Sequence, residues 1–195
     1  DWKGLEPSQL SDDHFDMLGA SKFARPSADL LTFMKIADIE KPIGDPLSAM
    51  KTLNRAIYHS FEYESGITQV HSPIEVALRG RRGVCQDFSH VMIAVARQWG
   101  IPTRYVSGYM YHRGNRDRSE ADATHAWVEA WLPSLGWVGF DPTNNVMAEE
   151  RHVRAASARV RASSVSACCR VSLTIVSALC RASAIRLSAC CRAMA

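Results

Sequence analysis

The chain has 195 residues, 47% of them hydrophobic and 22% charged, enough for one domain with a buried core. Its formal charge of +3 hides a split, because residues 1–150 hold all 20 acidic residues against 15 basic ones, while residues 151–195 hold eight Arg and no acid. A mildly acidic body lacks the basic footprint of a nucleic-acid binder, and no run reaches the roughly 20 apolar residues of a membrane span, so neither nucleic acid nor membrane is expected as a partner.

Residues 1–10 lack the charged-then-apolar plan of a signal peptide, and a cytoplasmic, reducing compartment is expected. The chain begins at Asp1 rather than Met, which reads as a piece of a longer protein whose upstream stretch could hold another domain or a targeting signal. Cys85 is the one cysteine of the body; Cys168, Cys169, Cys180, Cys190 and Cys191 crowd the tail, four of them as two adjacent pairs, without a nearby His. That is neither zinc-site nor disulfide-framework spacing, and no metal or cofactor is expected.

Residues 1–45 form a lead-in segment punctuated by Pro7, Pro26, Pro42 and Gly44, with a short helical stretch over 10–18. From Pro46, Leu47, Met50, Leu53, Ile57 and Phe61 recur at helical spacing, with Asp45 as N-cap and proline at the first helical position. A shorter helix follows over 72–78, with Ser72 as cap and Glu75 at the capping-box position. After Gly83 the residues Cys85, Phe88, Val91, Met92, Val95 and Trp99 make one buried stripe of a helix that Gly100, Ile101 and Pro102 end. His90 falls on its polar side and reads as structural or exposed, and the Arg79, Arg81 and Arg82 cluster as a solvated face. Residues 103–111 alternate as a strand, 112–122 form a polar loop, and strands over 123–132 and 137–142 are joined at Pro133-Ser134-Leu135-Gly136. His14 and His112 sit in polar context and are expected to be solvated; Trp127, Trp131 and Trp137 read as core and site walls.

The chemistry starts at Cys85, because the positive end of a helix favours thiolate over thiol. A thiol that attacks a carbonyl also needs a base within hydrogen-bond reach and a carboxylate to orient that base, parts that His125 and Asp141 can fill. A three-residue loop makes Leu132 face Gly136 and Trp127 face Asp141, so that His125 becomes the diagonal neighbour of Asp141 on one face. A loop of two residues would turn Asp141 to the other face. The backbone N–H of Cys85 is the natural first oxyanion donor, and the Gln86 side-chain amide is a candidate second. Taken singly, Cys85 reads as an inert buried residue, His125 as a sheet histidine and Asp141 as a turn former before Pro142; only the conjunction carries chemistry.

Four ordered blocks then resemble the transglutaminase-like superfamily, in particular its bacterial cysteine proteases: Gly83-Val84-Cys85-Gln86-Asp87-Phe88-Ser89-His90, residues 100–109, His125-Ala126-Trp127-Val128-Glu129, and Gly136-Trp137-Val138-Gly139-Phe140-Asp141-Pro142-Thr143. The resemblance covers residues 1–154 and implies an α+β, papain-like fold, the nucleophile helix packed on an antiparallel sheet. It also implies Cys85 as nucleophile, His125 as general base and acid, and Asp141 as its orienting partner. The resemblance also implies a β-rich domain ahead of this segment in full-length bacterial relatives, and His152-Val153-Arg154 resembles the start of the family's next strand, after which the pattern stops.

The expected activity is thiol-dependent acyl transfer from a peptide or glutamine carboxamide through a thioester, resolved by water in a protease or amidase, or by an amine acceptor in a transglutaminase; hydrolysis is slightly favoured. The rival is a non-catalytic binding module on the same fold. The catalytic core spans 46–154. Residues 155–195 lack Gly, Pro, acids, aromatics and Lys, and repeat Ser-Ala-Cys-Cys-Arg, which reads as non-native, out-of-frame sequence that should add no strands to the core. The coding DNA, read in another frame after about codon 153, should then encode a compositionally ordinary segment.

Overall fold

Helices lead the chain and strands close it, and the described residues of this computed structural model are 1–111, 117–119 and 123–158. After 3₁₀ turns at Trp2–Leu5 and Pro7–Gln9, α1 (Asp12–Phe15) runs into a third turn, Asp16–Leu18, and is followed by α2 (Ala28–Ile36) and α3 (Pro46–Ser60). Strand β1 (Glu62–Tyr63), α4 (Ile74–Gly80) and β2 (Arg82–Gly83) lead into α5 (Cys85–Gln98). Then come β3 (Thr103–Met110), β4 (Thr124–Leu132), β5 (Gly136–Asp141), β6 (Val146–Met147) and β7 (His152–Ala158). The last five make one antiparallel sheet in the order β6-β5-β4-β3-β7, while β1 and β2 pair in parallel just ahead of Cys85. This is the expected α+β arrangement, with α5 packed on β3 and β4.

Local rules explain most of these bounds. Asp45 Oδ1 accepts the Ser48 N–H at 3.0 Å with Pro46 at the first position of α3, and Ala49, Met50, Leu53 and Ile57 are buried. Helix α4 starts two residues later than its expected cap. Ser72 Oγ takes the N–H of Gln69 at 2.9 Å instead, leaving Pro73 at the N-cap without a side-chain bond. Helix α2 lies inside the supposed lead-in segment: Ser27 Oγ caps Leu30 N at 3.2 Å, and Leu30 and Phe33 are buried.

Helix α5 is more enclosed than a single-stripe pattern implies. Phe88, Val91, Met92 and Val95 are buried as expected, but so are Ser89, His90, Ile93, Ala94 and Ala96. His90 is neither exposed nor on a polar face. Its ring lies between Phe23 and Tyr105, at 5.3 and 5.0 Å, and burial pushes its pKa down to about 3, keeping the imidazole neutral. His14 also departs from expectation, stacking on Trp131 at 4.3 Å. At the far end of α5 the Arg97 guanidinium donates to the carbonyls of Thr103 and Gly19, tying the helix to β3 and to the N-terminal segment.

The β4–β5 hairpin has the expected register: Leu132 opposes Gly136, Trp131 opposes Trp137, and pairing runs to Val128 opposite Phe140. Its turn uses positive φ at Ser134 (69°) and Gly136 (72°). Strand β7 corrects the expected boundary at residue 155, because Ala156, Ser157 and Ala158 pair with Ser107, Val106 and Tyr105 of β3. A bulge at Ala155 shifts the register before Arg154 pairs with Gly108. Residues 159–195 with their five cysteines, and 112–116 and 120–122 of the polar loop including His112, lie outside the described residues.

Gly108 is needed for this close approach. A Cβ there would collide with the Val153 carbonyl and lie 2.7 Å from the Trp127 ring. Gly108→Ala is therefore expected to displace β7 and lower stability by about 1–3 kcal/mol, read as a shifted urea midpoint; an unchanged midpoint would show that β7 is not held at this position.

Candidate active site

Cys85 opens α5, and the turn before it is fixed by Asp87, whose buried Oδ2 accepts the Val84 N–H at 2.9 Å and the Thr68 hydroxyl at 2.5 Å. Burial raises the Asp87 pKa while these two donors oppose the rise. A Cβ on Gly83 would lie 2.6 Å from that oxygen, so glycine is what lets the β2 backbone pass over the carboxylate. The half-buried thiol thus stands where the first backbone N–H groups of the helix, those of Cys85 and Gln86, have no intrahelical acceptor. The Gln86 amide donates to the Val70 carbonyl at 3.1 Å, so the expected side-chain oxyanion donor is engaged elsewhere.

His125 on β4 and Asp141 at the end of β5 meet as the hairpin parity requires. Their side chains are 2% and 0% exposed, and His125 Nε2 lies 2.8 Å from Asp141 Oδ2. The sheet places the carboxylate, and the turn after it saturates it: Oδ1 accepts the N–H groups of Thr143 (3.0 Å) and Asn144 (3.3 Å), while Oδ2 also accepts Asn144 Nδ2 (2.8 Å) and His152 Nε2 (3.2 Å). Burial alone would raise the Asp141 pKa, but the His125 charge and these donors hold it well below the usual carboxylate range.

On the other ring nitrogen of His125, Nδ1, the described residues place no hydrogen-bond partner and no bond to sulfur closes in this conformation, yet Cys85 is near enough to act on the ring. Burial lowers the His125 pKa; the charge and hydrogen bond of Asp141, with a smaller contribution from Cys85, outweigh it and raise the value to about 10. Because the folded value lies above the ordinary 6.5, this contribution to stability is complete below pH 6.5 and is lost as the pH climbs towards 10. Asp141 acts in the opposite sense, its contribution fading as the pH falls below the ordinary carboxylate range. Urea midpoints of the wild type should therefore fall between pH 7 and 10, and His125→Gln should flatten that limb; equal slopes would refute the cationic pairing.

The donor atoms of His125, Asp141 and His152 lie within 4.8 Å of one another, a set that could hold a metal ion by distance alone. Both imidazoles converge on one carboxylate oxygen at 2.8 and 3.2 Å, with Asn144 on the same atom, and this is the geometry of hydrogen bonding. A separate open depression of about 430 Å³ is lined by Phe61, Glu62, Tyr63 and Arg118, next to the β1–β2 pair that leads into Cys85.

A family model described as the transglutaminase-like superfamily matches residues 35–142, more than half of the chain and a span that includes Cys85, His125 and Asp141. The chain belongs to the transglutaminase-like superfamily. Among superfamily relatives, an uncharacterized protein of Mycobacterium leprae is 34% identical over 163 residues, covering 81% of this chain and 56% of that protein. A solved structure described as a candidate cysteine protease of Cytophaga hutchinsonii superposes with a TM-score of 0.65 at 27% identity, covering 80% of this chain and 50% of that one. The periplasmic domain of TgpA from Pseudomonas aeruginosa, bound to ethylmercury, superposes with a TM-score of 0.50 at 25% identity, covering 73% and 52%. The chain therefore spans about half the length of these relatives.

Asn144 and His152 are the site residues that the sequence reading misses. Asn144 carries a local signal, since an Asx turn opened by Asp141 brings the residue three positions on back to its carboxylate. His152 carries none, because its approach depends on β7 returning to β3, on the sheet edge remote from Asp141 in β5.

Proposed function

We propose that this protein is a thiol-dependent acyl-transfer enzyme acting on peptide or glutamine carboxamide bonds. The observation that carries the reading is the buried 2.8 Å His125–Asp141 bond facing the first residue of α5, where Cys85 stands as the free cysteine of the described residues. In the first half-reaction the Cys85 sulfur, its proton already held on the His125 ring as an imidazolium–thiolate pair, bonds to the carbonyl carbon, and the developing oxyanion sits against the N–H groups at the head of α5. The imidazolium then gives its proton to the leaving amine or ammonia, and the C–N bond breaks to leave a thioester. In the second half-reaction His125 takes a proton from water or an amine, whose oxygen or nitrogen displaces sulfur and returns the thiol. Asp141 holds the ring throughout and stabilises its charged form.

Two relatives support the class. One is the candidate cysteine protease of Cytophaga hutchinsonii; the other is a Pseudomonas aeruginosa protein named protein-glutamine gamma-glutamyltransferase, 40% identical over 73 residues that cover 35% of this chain and 11% of that protein. We favour water as the acceptor, on the resemblance to bacterial cysteine proteases. A mass-spectrometric screen of a glutamine peptide, with and without an added primary amine, tests the reading: ammonia loss or backbone cleavage marks hydrolysis, amine addition marks transamidation. No product from the wild type, or equal product from Cys85→Ala, would overturn it.

A further inference from the structure

Asp141 Oδ2 is shared by two imidazoles, and Cys85 acts on the one that belongs to His125. The His152 side chain is 2% exposed, although it belongs to the outermost strand of the sheet. Its Nε2 lies 3.2 Å from Asp141 Oδ2, its ring meets Trp127 edge-on at 5.1 Å, and its centroid is 6.0 Å from that of His125. Since Oδ2 is a carboxylate acceptor, the proton of a neutral His152 must sit on Nε2. Nδ1 is then a bare, buried acceptor, and it has no hydrogen-bond partner. A residue kept only for packing has no reason to leave a polar nitrogen orphaned where an apolar ring would fill the space.

We propose that His152 is a positioning residue for the reaction: from β7 it donates Nε2–H to the Asp141 oxygen that also holds His125, and so fixes the carboxylate that aims the His125 ring at Cys85. The role rests on the triad reading given above. Its geometry is specific, because the carboxylate is gripped from three sides: the turn at Thr143 and Asn144, the base on β4, and β7. Removing the β7 donor frees Oδ2 to rotate towards Asn144 and lets the His125 ring drift. Trp127 stands against both rings, 6.3 Å from His125 and 5.1 Å from His152, so it keeps the two imidazoles apart while both reach the same atom.

The test uses the full chain and two substitutions. His152→Phe keeps a ring of similar shape without a donor, and His152→Gln places an amide donor near the old Nε2. Iodoacetamide labelling of Cys85 at pH 6 should slow about 10- to 100-fold in His152→Phe and return to within about 3-fold of wild type in His152→Gln. Circular dichroism and urea midpoints confirm that each variant folds. Imidazole nitrogen NMR should show His152 protonated on Nε2, with a signal that moves on Asp141→Asn. Wild-type labelling by His152→Phe, or equal slowing by Phe and Gln, overturns the positioning role while leaving the triad intact. An intact His152–Asp141 bond in a wild type whose Cys85 labels no faster than a free thiol overturns the triad reading and, with it, this role.

Discussion

Asp141→Asn is expected to lower turnover about ten-thousand-fold, the scale seen when a triad carboxylate is made neutral. Asn cannot stabilise the imidazolium and, if its amide nitrogen points at His125, forces the ring proton onto Nδ1, facing the sulfur it should deprotonate. Sequence alone suggests that stability would hardly change, because Asn and Asp have the same shape. The structure says otherwise. Oδ1 accepts two backbone N–H groups and Oδ2 accepts His125, Asn144 and His152, so either orientation of an amide turns an NH₂ towards existing donors. A loss of about 1–3 kcal/mol should accompany the lost rate. Steady-state kinetics and urea denaturation of the variant check both, and a near-native rate would show that Asp141 only shapes the turn.

His125→Ala should remove the reactivity of Cys85 below neutral pH. An ordinary thiol with a pKa near 8.5 is only about 0.3% ionised at pH 6, so a thiol whose proton is taken by His125 should be alkylated by iodoacetamide on the order of 100-fold faster than one left alone. The wild type should hold its labelling rate from mildly acidic pH upward, since the imidazolium persists to a pKa of about 10. The variant should label with the profile of a free cysteine, slow at pH 6 and rising tenfold per pH unit. Identical profiles would mean that the thiol and the imidazole do not communicate, and that the fold serves binding instead.

Much of the fold was legible because short-range rules decided it. Asp45 and Pro46 mark the start of α3, Gly100 marks the end of α5, and the three-residue loop sets the register that brings His125 to Asp141. Helix α2 was legible too, in Ser27 followed by Leu30 and Phe33, but the prolines on either side drew the reading towards turns. His90 is structural, as one of its two readings has it, but its place on a polar side fails because amphipathicity describes a helix with one wet face, and α5 is covered by the sheet on one side and by the N-terminal segment and helices on the others. The end of the domain was misplaced at residue 155 because composition changes there while β7 continues to Ala158; backbone pairing with β3 needs no particular side chain at Ala156 and Ser157. His152 stayed hidden for the same reason, since its partner is chosen by sheet order and not by spacing along the chain.

The turn at Pro133, Ser134 and Leu135 also works as a length gauge for evolution and for engineering. Deleting one of its residues, or adding one, would exchange the two faces of β5, turning Phe140 onto the face that carries His125 and burying a carboxylate in the hydrocarbon beneath α5. Sequence drift within this loop is therefore free in letters but not in count. Among natural descendants of this chain, single-residue insertions and deletions between Leu132 and Gly136 should be purged, while changes that preserve parity survive.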